Sequence, residues 1–573
     1  MDGQSIGSDP RGMDAPTHIP HPTRHTPGIH RTPGIPGIPR LSHLCFAAMF
    51  LCALATSLTH ADWVVLPTDP RIVYTGSANT QGDAAIGAPA VRSTYSVDGS
   101  GIKIGIISDS FNRNSLDPLP NVTSGDLLDV NVLQDDPNPA GTDEGRAMAE
   151  VIHDIAPDAQ LYFHSAFNNA LTPGPNVFPT QQSIAVAINT LVTQGVKVIV
   201  NDAALLNEPF YQDGPVAQAV NAAKQAGVAF ISAAGNYGNQ SHQGIYTPSG
   251  YDVSGVFTKF TPGIALADAT LDVDVPANST LRAVLQWASP YLPPGKQDSG
   301  PDYNLLALTS NNEKTATVIA TSFRDQANSW SDRSDNDADG LPDQNAYEIL
   351  VIQNTSISTA TLQLAVLKID DSTPNRAFKI IISGGTITDP AFTGSYTIFG
   401  SAAADGSLTI GSIDYNQIGS PTPIVESSSS QGPTQILYDT LGNSLGLVIR
   451  NSLDLVAPDN VDTQMLGSNG FDGTSAAASH AAAAAALLLQ YAQVHSIPLS
   501  VDQLYALLND NATYIGPLGD FPYDDNLSGN GILHLDAAFA QIAIPEPATA
   551  ALLLLTCLAA PAALRRRCIA RIG

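Results

Sequence analysis

QSIAVAINTLVTQGVKVIVNDAALLNEPFYQDGPVAQAVNAAKQAGVAFISAAGN, residues 182–236, alternates two kinds of segment. The runs 182–195 and 215–227 carry apolar residues at helical spacing, and each closes on a glycine, Gly195 and Gly227, the residue that most readily ends a helix in the left-handed conformation. The runs VKVIVND (196–202) and VAFISAAGN (228–236) are short and nearly all apolar, the pattern of strands buried on both faces. Helices of this length between strands imply right-handed crossovers and a parallel sheet covered on both sides.

The same grammar extends outward. GIKIGIISDS (101–110) and AQLYFHSA (159–166) read as strands, and GRAMAEVIHDI (145–155), SAAASHAAAAAALLLQYAQ (475–493) and VDQLYALLND (501–510) read as helices. In open sheets of this kind the chemistry gathers at the carboxyl ends of the strands. Between about 245 and 385 the pattern changes to Thr/Val-rich alternation without long helices, as in TLDVDVPANSTLRAVLQW and TATLQLAVLKI. That alternation marks an antiparallel β domain set into the α/β one. The expected organisation is a leader and signal peptide (1–61), a linker or short pro-segment (62–98), the first half of a catalytic domain (99–244), the β insert (245–395), the second half (396–540) and a sorting segment (541–573).

Charge narrows the partners. With 25 Lys+Arg against 53 Asp+Glu the formal charge is -28, which repels a phosphate backbone and excludes a nucleic-acid footprint. The four cysteines, Cys45, Cys52, Cys557 and Cys568, all lie in terminal apolar runs. The body between them can form neither a disulfide nor a thiolate metal site.

The termini read as address labels. LCFAAMFLCALATSL (44–58) follows Arg40 and precedes Thr59, His60 and Ala61, in which small Thr59 and Ala61 suit cleavage after Ala61, as in a secretory signal. A run of about 15 apolar residues is short for a membrane span of roughly 20. At the other end Pro545, Glu546 and Pro547 precede an apolar run from Ala548 to Leu564 and then Arg565, Arg566 and Arg567. This segment resembles the PEP-CTERM sorting signal of Gram-negative bacteria, against the plainer reading of a tail anchor. The resemblance implies processing by signal peptidase and an exosortase, and a final place at the cell surface or in the extracellular matrix, with membrane contact only through the terminal segments.

Four segments fall in a telling order: GIISDS around Asp109, EGRAMAEVIHDIAPDAQL from Glu144, SAAGN ending at Asn236, and DGTSAAASH around Ser475, supported by DLVAPD (454–459) and ESSSSQGPT (426–434). Together they resemble the subtilase/sedolisin superfamily of serine peptidases over about 101–241 and 396–510. The resemblance implies a subtilisin-like parallel sheet with helices on both faces, with Ser475 as nucleophile, Asn236 in the oxyanion hole and Asp109 as the acid. Where subtilisins place the histidine base this chain has Glu144, so the set resembles the Glu/Asp/Ser arrangement of sedolisins. It departs from sedolisins where their second acid would stand, at Met148, and in carrying Asn236 in place of aspartate. The Ser/Gly-rich substrate edge of subtilases is replaced by NDAALLNEPFYQDG (201–214).

A carboxylate of ordinary pKa, about 4.3, is a poor base at neutral pH, so the reading requires an acidic optimum or a raised pKa, which an adjacent carboxylate such as Asp109 provides. His153, about 180° around its helix from Glu144, and His480, about 140° from Ser475, face away and read as structural. Asp143 is a rival base, and Asp202 and Glu208 read as solvated or capping acids. Asp335, Asp337, Asp339 and Asp343 surround Gly340 in DNDADGLPD, the start of an oxygen-rich calcium loop. Ala346 at its twelfth position disfavours an EF-hand, and an acidic surface loop is the alternative. The chemistry itself requires no cofactor. The expected function is a secreted or cell-surface endopeptidase acting on polypeptides through an acyl-enzyme on Ser475; the alternative is an inactive subtilase fold serving surface adhesion or matrix binding.

Overall fold

The computed structural model describes residues 78–543 apart from internal stretches, chiefly 114–124, 168–178, 323–344 and 516–525. The expected calcium loop and both expected address labels therefore lie outside the described residues. No helix among the described residues is long and apolar enough to cross a membrane.

The centre is a seven-stranded sheet. Its strands are β1 (Lys103–Ser108), β2 (Asn131–Gln134), β3 (Gln160–Ser165), β4 (Val198–Asn201), β5 (Ala229–Ala233), β6 (Ser407–Asp414) and β7 (Leu455–Asp459). Their order across the sheet is β2-β3-β1-β4-β5-β6-β7, and every pairing is parallel. The order reverses at β1, which lies between β3 and β4, so β1 and β4 flank the switch point where such sheets leave a crevice.

The apolar runs are continuous because both faces are covered. Ile104, Ile106, Val198, Val200, Ala229 and Ile231 enter one core with α3 (Glu144–Ile155) and α6 (Gly473–Val494). Their neighbours Ile107, Ile199 and Phe230 point the other way, into a core with α4 (Gln181–Thr193) and α5 (Pro215–Gln225). Helix α6 is apolar nearly all round and buried along most of its length, the condition of a central core helix. Further on, α7 (Val501–Asp510) is fixed to β5 by the Tyr505 hydroxyl, which donates to the Phe230 and Gly406 carbonyls (both 3.0 Å) and accepts from the Phe230 amide (2.7 Å).

Two helices precede β1. α1 (Gln81–Ala85) and α2 (Ala88–Tyr95) fall inside the stretch read as linker or pro-segment. Thr80 caps α1, its amide donates to Asp154 (2.7 Å), and its hydroxyl meets His480 Nε2 (2.9 Å). Arg92 pairs with Asp83 and donates to the Ile155 carbonyl (3.0 Å). This segment is thus knitted to α3 and α6.

The insert is a β-sandwich. One sheet has the order Tyr347–Gln353, Thr280–Trp287, Ala377–Ser383, Ser241–Ile245; the other is built on Tyr303–Leu308 and Ala360–Lys368, and all its pairings with them are antiparallel. Alternate residues of both sheets, among them Leu281, Leu285, Trp287, Tyr303, Leu364, Phe378 and Ile380, fill one core. The insert grips the 201–214 segment: Gln286 accepts from the Phe210 amide (2.9 Å) and donates to the Leu206 (3.2 Å) and Glu208 (2.8 Å) carbonyls.

Candidate active site

Sheet topology delivers the acids to one place. Asp109 follows β1 directly and Asp202 follows β4 directly, and β1 and β4 are neighbours in register, with Ile107 opposite Asn201. Glu144 opens α3, and Ser475 lies in the first turn of α6. All four stand at the carboxyl edge of the sheet.

Asp109 organises the approach to α3. Its Oδ2 accepts from the Thr142 amide (2.6 Å) and hydroxyl (2.7 Å), and its Oδ1 from the Ser110 (2.5 Å) and Glu144 (3.2 Å) amides. A carboxylate at a helix N-terminus satisfies orphan N–H groups and complements the helix dipole. Asp109 therefore fixes the turn from which Glu144 projects and acts on the Glu144 carboxyl through charge. Asp143 sits in the left-handed region (φ 61) with its carboxyl on the Arg113 amide (2.6 Å), occupied as a structural acid.

Helices α3 and α6 pack together, and the Glu144 carboxyl lies beside the Ser475 side chain. Burial pushes the Glu144 pKa up, the nearby Ser475 hydroxyl pulls it down, and the charges of Asp109 and Asp472 push it up again. Asp202, read from sequence as solvated or capping, is instead part of this site. The residue is half-buried; its Oδ2 accepts from the Ser108 hydroxyl (2.9 Å), and its carboxyl lies near Ser475. Burial first, and the nearby Glu144 charge second, hold Asp202 well above the usual carboxylate range. The signal was its place at the end of the strand next to β1, one residue past the last paired position, just as Asp109 stands on β1.

The turn that carries Ser475 is held from behind. The Asp472 side chain makes no cap hydrogen bond to α6. Gly473 N donates to Asp459 (2.9 Å), a buried carboxyl that burial pushes up to about 7. Asn236 Oδ1 accepts from the Thr474 amide and hydroxyl (both 3.0 Å), which leaves Nδ2 as the end able to donate to an oxyanion. Gly473 has φ 83, and a Cβ there would lie 2.8 Å from Asn236 Nδ2, so only glycine lets the amide approach this turn.

The remaining acids and histidines lie apart from Ser475. His480 is wholly buried between Thr80 and the Ala476 carbonyl, and His153 is buried in α3; burial pushes both down to about 4. Glu208 is capping but not solvated: it is 1% exposed and accepts from the Leu205 and Ser401 amides. Met148, where a sedolisin acid would stand, is core.

A family model described as the subtilase family matches residues 99–535, and the chain belongs to that family. Among solved structures it is similar to the CspB protease of Clostridium perfringens (13% identity, 81% of this chain and 99% of that chain covered, TM-score 0.48). It is also similar to MycP1 with the N-terminal propeptide removed (14%, 80% and 97%, 0.36) and to a lanthipeptide protease (14%, 80% and 94%, 0.36). No curated protein matches the chain. The family is one of serine peptidases, whose substrates are polypeptides.

Proposed function

We propose that the protein is an exported serine endopeptidase in which Glu144 replaces the histidine of subtilases as the base for Ser475. The observation that carries this reading is the placement of Glu144 at the start of α3 and Ser475 in the first turn of α6, two helices packed together at the carboxyl edge of the sheet, with Asn236 bound to the Thr474 turn. Glu144 accepts the serine proton as Oγ attacks the peptide carbonyl, and the Asn236 Nδ2 and the Ser475 amide receive the oxyanion. Asp109 positions Glu144; burial first, and the charges of Asp109 and Asp472 after it, raise the proton affinity of Glu144, which moves the carboxylate toward a useful base. Export and surface attachment rest on the terminal segments, 44–61 and 545–567.

The test is hydrolysis of unfolded casein by the purified protein from pH 3 to 8, beside Ser475→Ala and Glu144→Gln. The reading requires activity that depends on both residues. A folded wild type that cleaves nothing across this range would shift the function to surface adhesion or matrix binding by an inactive fold.

A further inference from the structure

The amides that open α6 go to different partners. The Thr474 amide donates to Asn236 (3.0 Å), and the Gly473 amide donates to Asp459 Oδ2 (2.9 Å) at the end of β7. Asp472, in the ordinary capping position, makes no side-chain bond to the helix. The cap of the helix that carries Ser475 is thus supplied by another strand.

Asp459 is 1% exposed, and its Oδ1 is buried with no hydrogen-bond donor among the described residues. Its neighbours are acids. Asp414 stands opposite it in register on β6, and Asn460, the next residue, donates to Glu426 (3.3 Å). Of the other ionisable groups on the elements around β7, Asp462 accepts from the Asn469 amide (2.6 Å) and Asp83 on α1 is paired with Arg92. His480 on α6 is held by Thr80 and the Ala476 carbonyl. No lysine or arginine forms an ion pair with Asp459 among the described residues. An enclosed carboxyl with one oxygen unbonded, next to other carboxyls and without a cation, favours the neutral acid. Burial pushes Asp459 up to about 7 against the pull of the Gly473 amide, and the Glu426 and Asp414 charges add to the rise.

We propose that Asp459 is a positioning residue that caps α6 as a neutral acid and weakens the oxyanion hole once it ionises, which sets the alkaline limit of activity. The inference rests on the peptidase reading. As Ser475 Oγ bonds to the carbonyl carbon, the carbonyl electron pair moves to oxygen, and the amide end of α6 and Asn236 receive the new charge. A carboxylate at Asp459 occupies the same helix end and repels that charge. The neutral acid keeps the Gly473 bond and adds no charge. Activity therefore needs Glu144 ionised and Asp459 neutral.

The test is kcat on a peptide substrate from pH 5 to 9 with the full protein, beside Asp459→Asn and Asp459→Ala, each confirmed as folded by circular dichroism at every pH. Wild-type kcat is expected to fall about tenfold above pH 7. Asp459→Asn keeps an acceptor for the Gly473 amide without the charge, so it is expected to lose that fall and to exceed wild type about tenfold at pH 9. Asp459→Ala removes the acceptor and is expected to lower kcat at every pH with KM little changed, a loss that Asp459→Asn, by restoring the bond, does not share. Should Asp459→Ala not fold, the Asp459→Asn profile decides alone. An alkaline fall that persists in Asp459→Asn, or a wild-type profile level to pH 9, would overturn the role of Asp459 and leave the peptidase reading standing. Cleavage that persists in Ser475→Ala would sink both.

Discussion

Gly473→Ala tests the proposed role of Asn236 as oxyanion donor. The alanine must hold φ 83, which costs an L-residue roughly 1–2 kcal/mol. Its Cβ would also stand 2.8 Å from Asn236 Nδ2 and 3.0 Å from Oδ1, so the amide must swing away. That loosens the two Thr474 hydrogen bonds, each worth about 0.5–1.5 kcal/mol. The expected stability loss is about 2–4 kcal/mol, measured by denaturant unfolding. Because Nδ2 is displaced from the oxyanion, kcat on a peptide substrate falls by about 10²–10³, the effect of losing one such donor, while KM changes little. Asn236→Ala gives a similar kcat, and the double variant is no slower than either single one, since both remove the same interaction. A folded Gly473→Ala with wild-type kcat, or losses that multiply in the double variant, would refute the placement of Asn236.

Buried acids make stability fall as pH rises. Burial pushes Glu150, Glu208 and Asp459 up to about 7 and Asp154 to about 8, so the native state keeps protons that the unfolded chain has released. Their contribution is present at low pH and lost as pH rises through these folded values. His153 and His480, pushed down to about 4, work the opposite way, but only below their ordinary value near 6.5. Buried Lys379, pushed down to about 8, opposes the acids as pH approaches that value, so between about pH 6.5 and 7.5 the acids dominate the slope and Tm is expected to drop; a flat or rising Tm there contradicts their burial. Tyr505→Phe removes the hydroxyl that ties α7 to β5 and is expected to cost about 1–3 kcal/mol with kcat/KM unchanged, because Phe230 lies near the amino end of β5, away from Ser475. Lost activity at unchanged stability would show that this contact serves the site.

The local signals were strong where chemistry and packing coincide. Residues 196–202 and 228–236 had to be buried strands because no polar face interrupts them, and the structure places Val198–Asn201 and Ala229–Ala233 side by side. Glu144 and Ser475 were legible because each opens a helix beside a recognisable phrase. Asp202 was not assigned, because its meaning is non-local: nothing between 196 and 214 tells that β4 pairs with β1, and only that pairing sets Asp202 near Asp109 and Ser475. The same holds for Asp459, whose link to Gly473 spans 14 residues and a hairpin. Helices α1 and α2 are short, and they are tied to partners as distant as His480. The grip of Gln286 on the 206–210 segment likewise depends on how the insert returns over the α/β domain, which alternation alone does not specify.

The central claim is that a carboxylate at position 144 activates Ser475. The direct measurement is the rate at which a fluorophosphonate probe labels the protein as a function of pH, with the site located by mass spectrometry. The account predicts labelling at Ser475 alone, rising as Glu144 ionises, and abolished in Glu144→Gln. Labelling of Glu144→Gln at the wild-type rate, or a label on any residue other than Ser475, would contradict it.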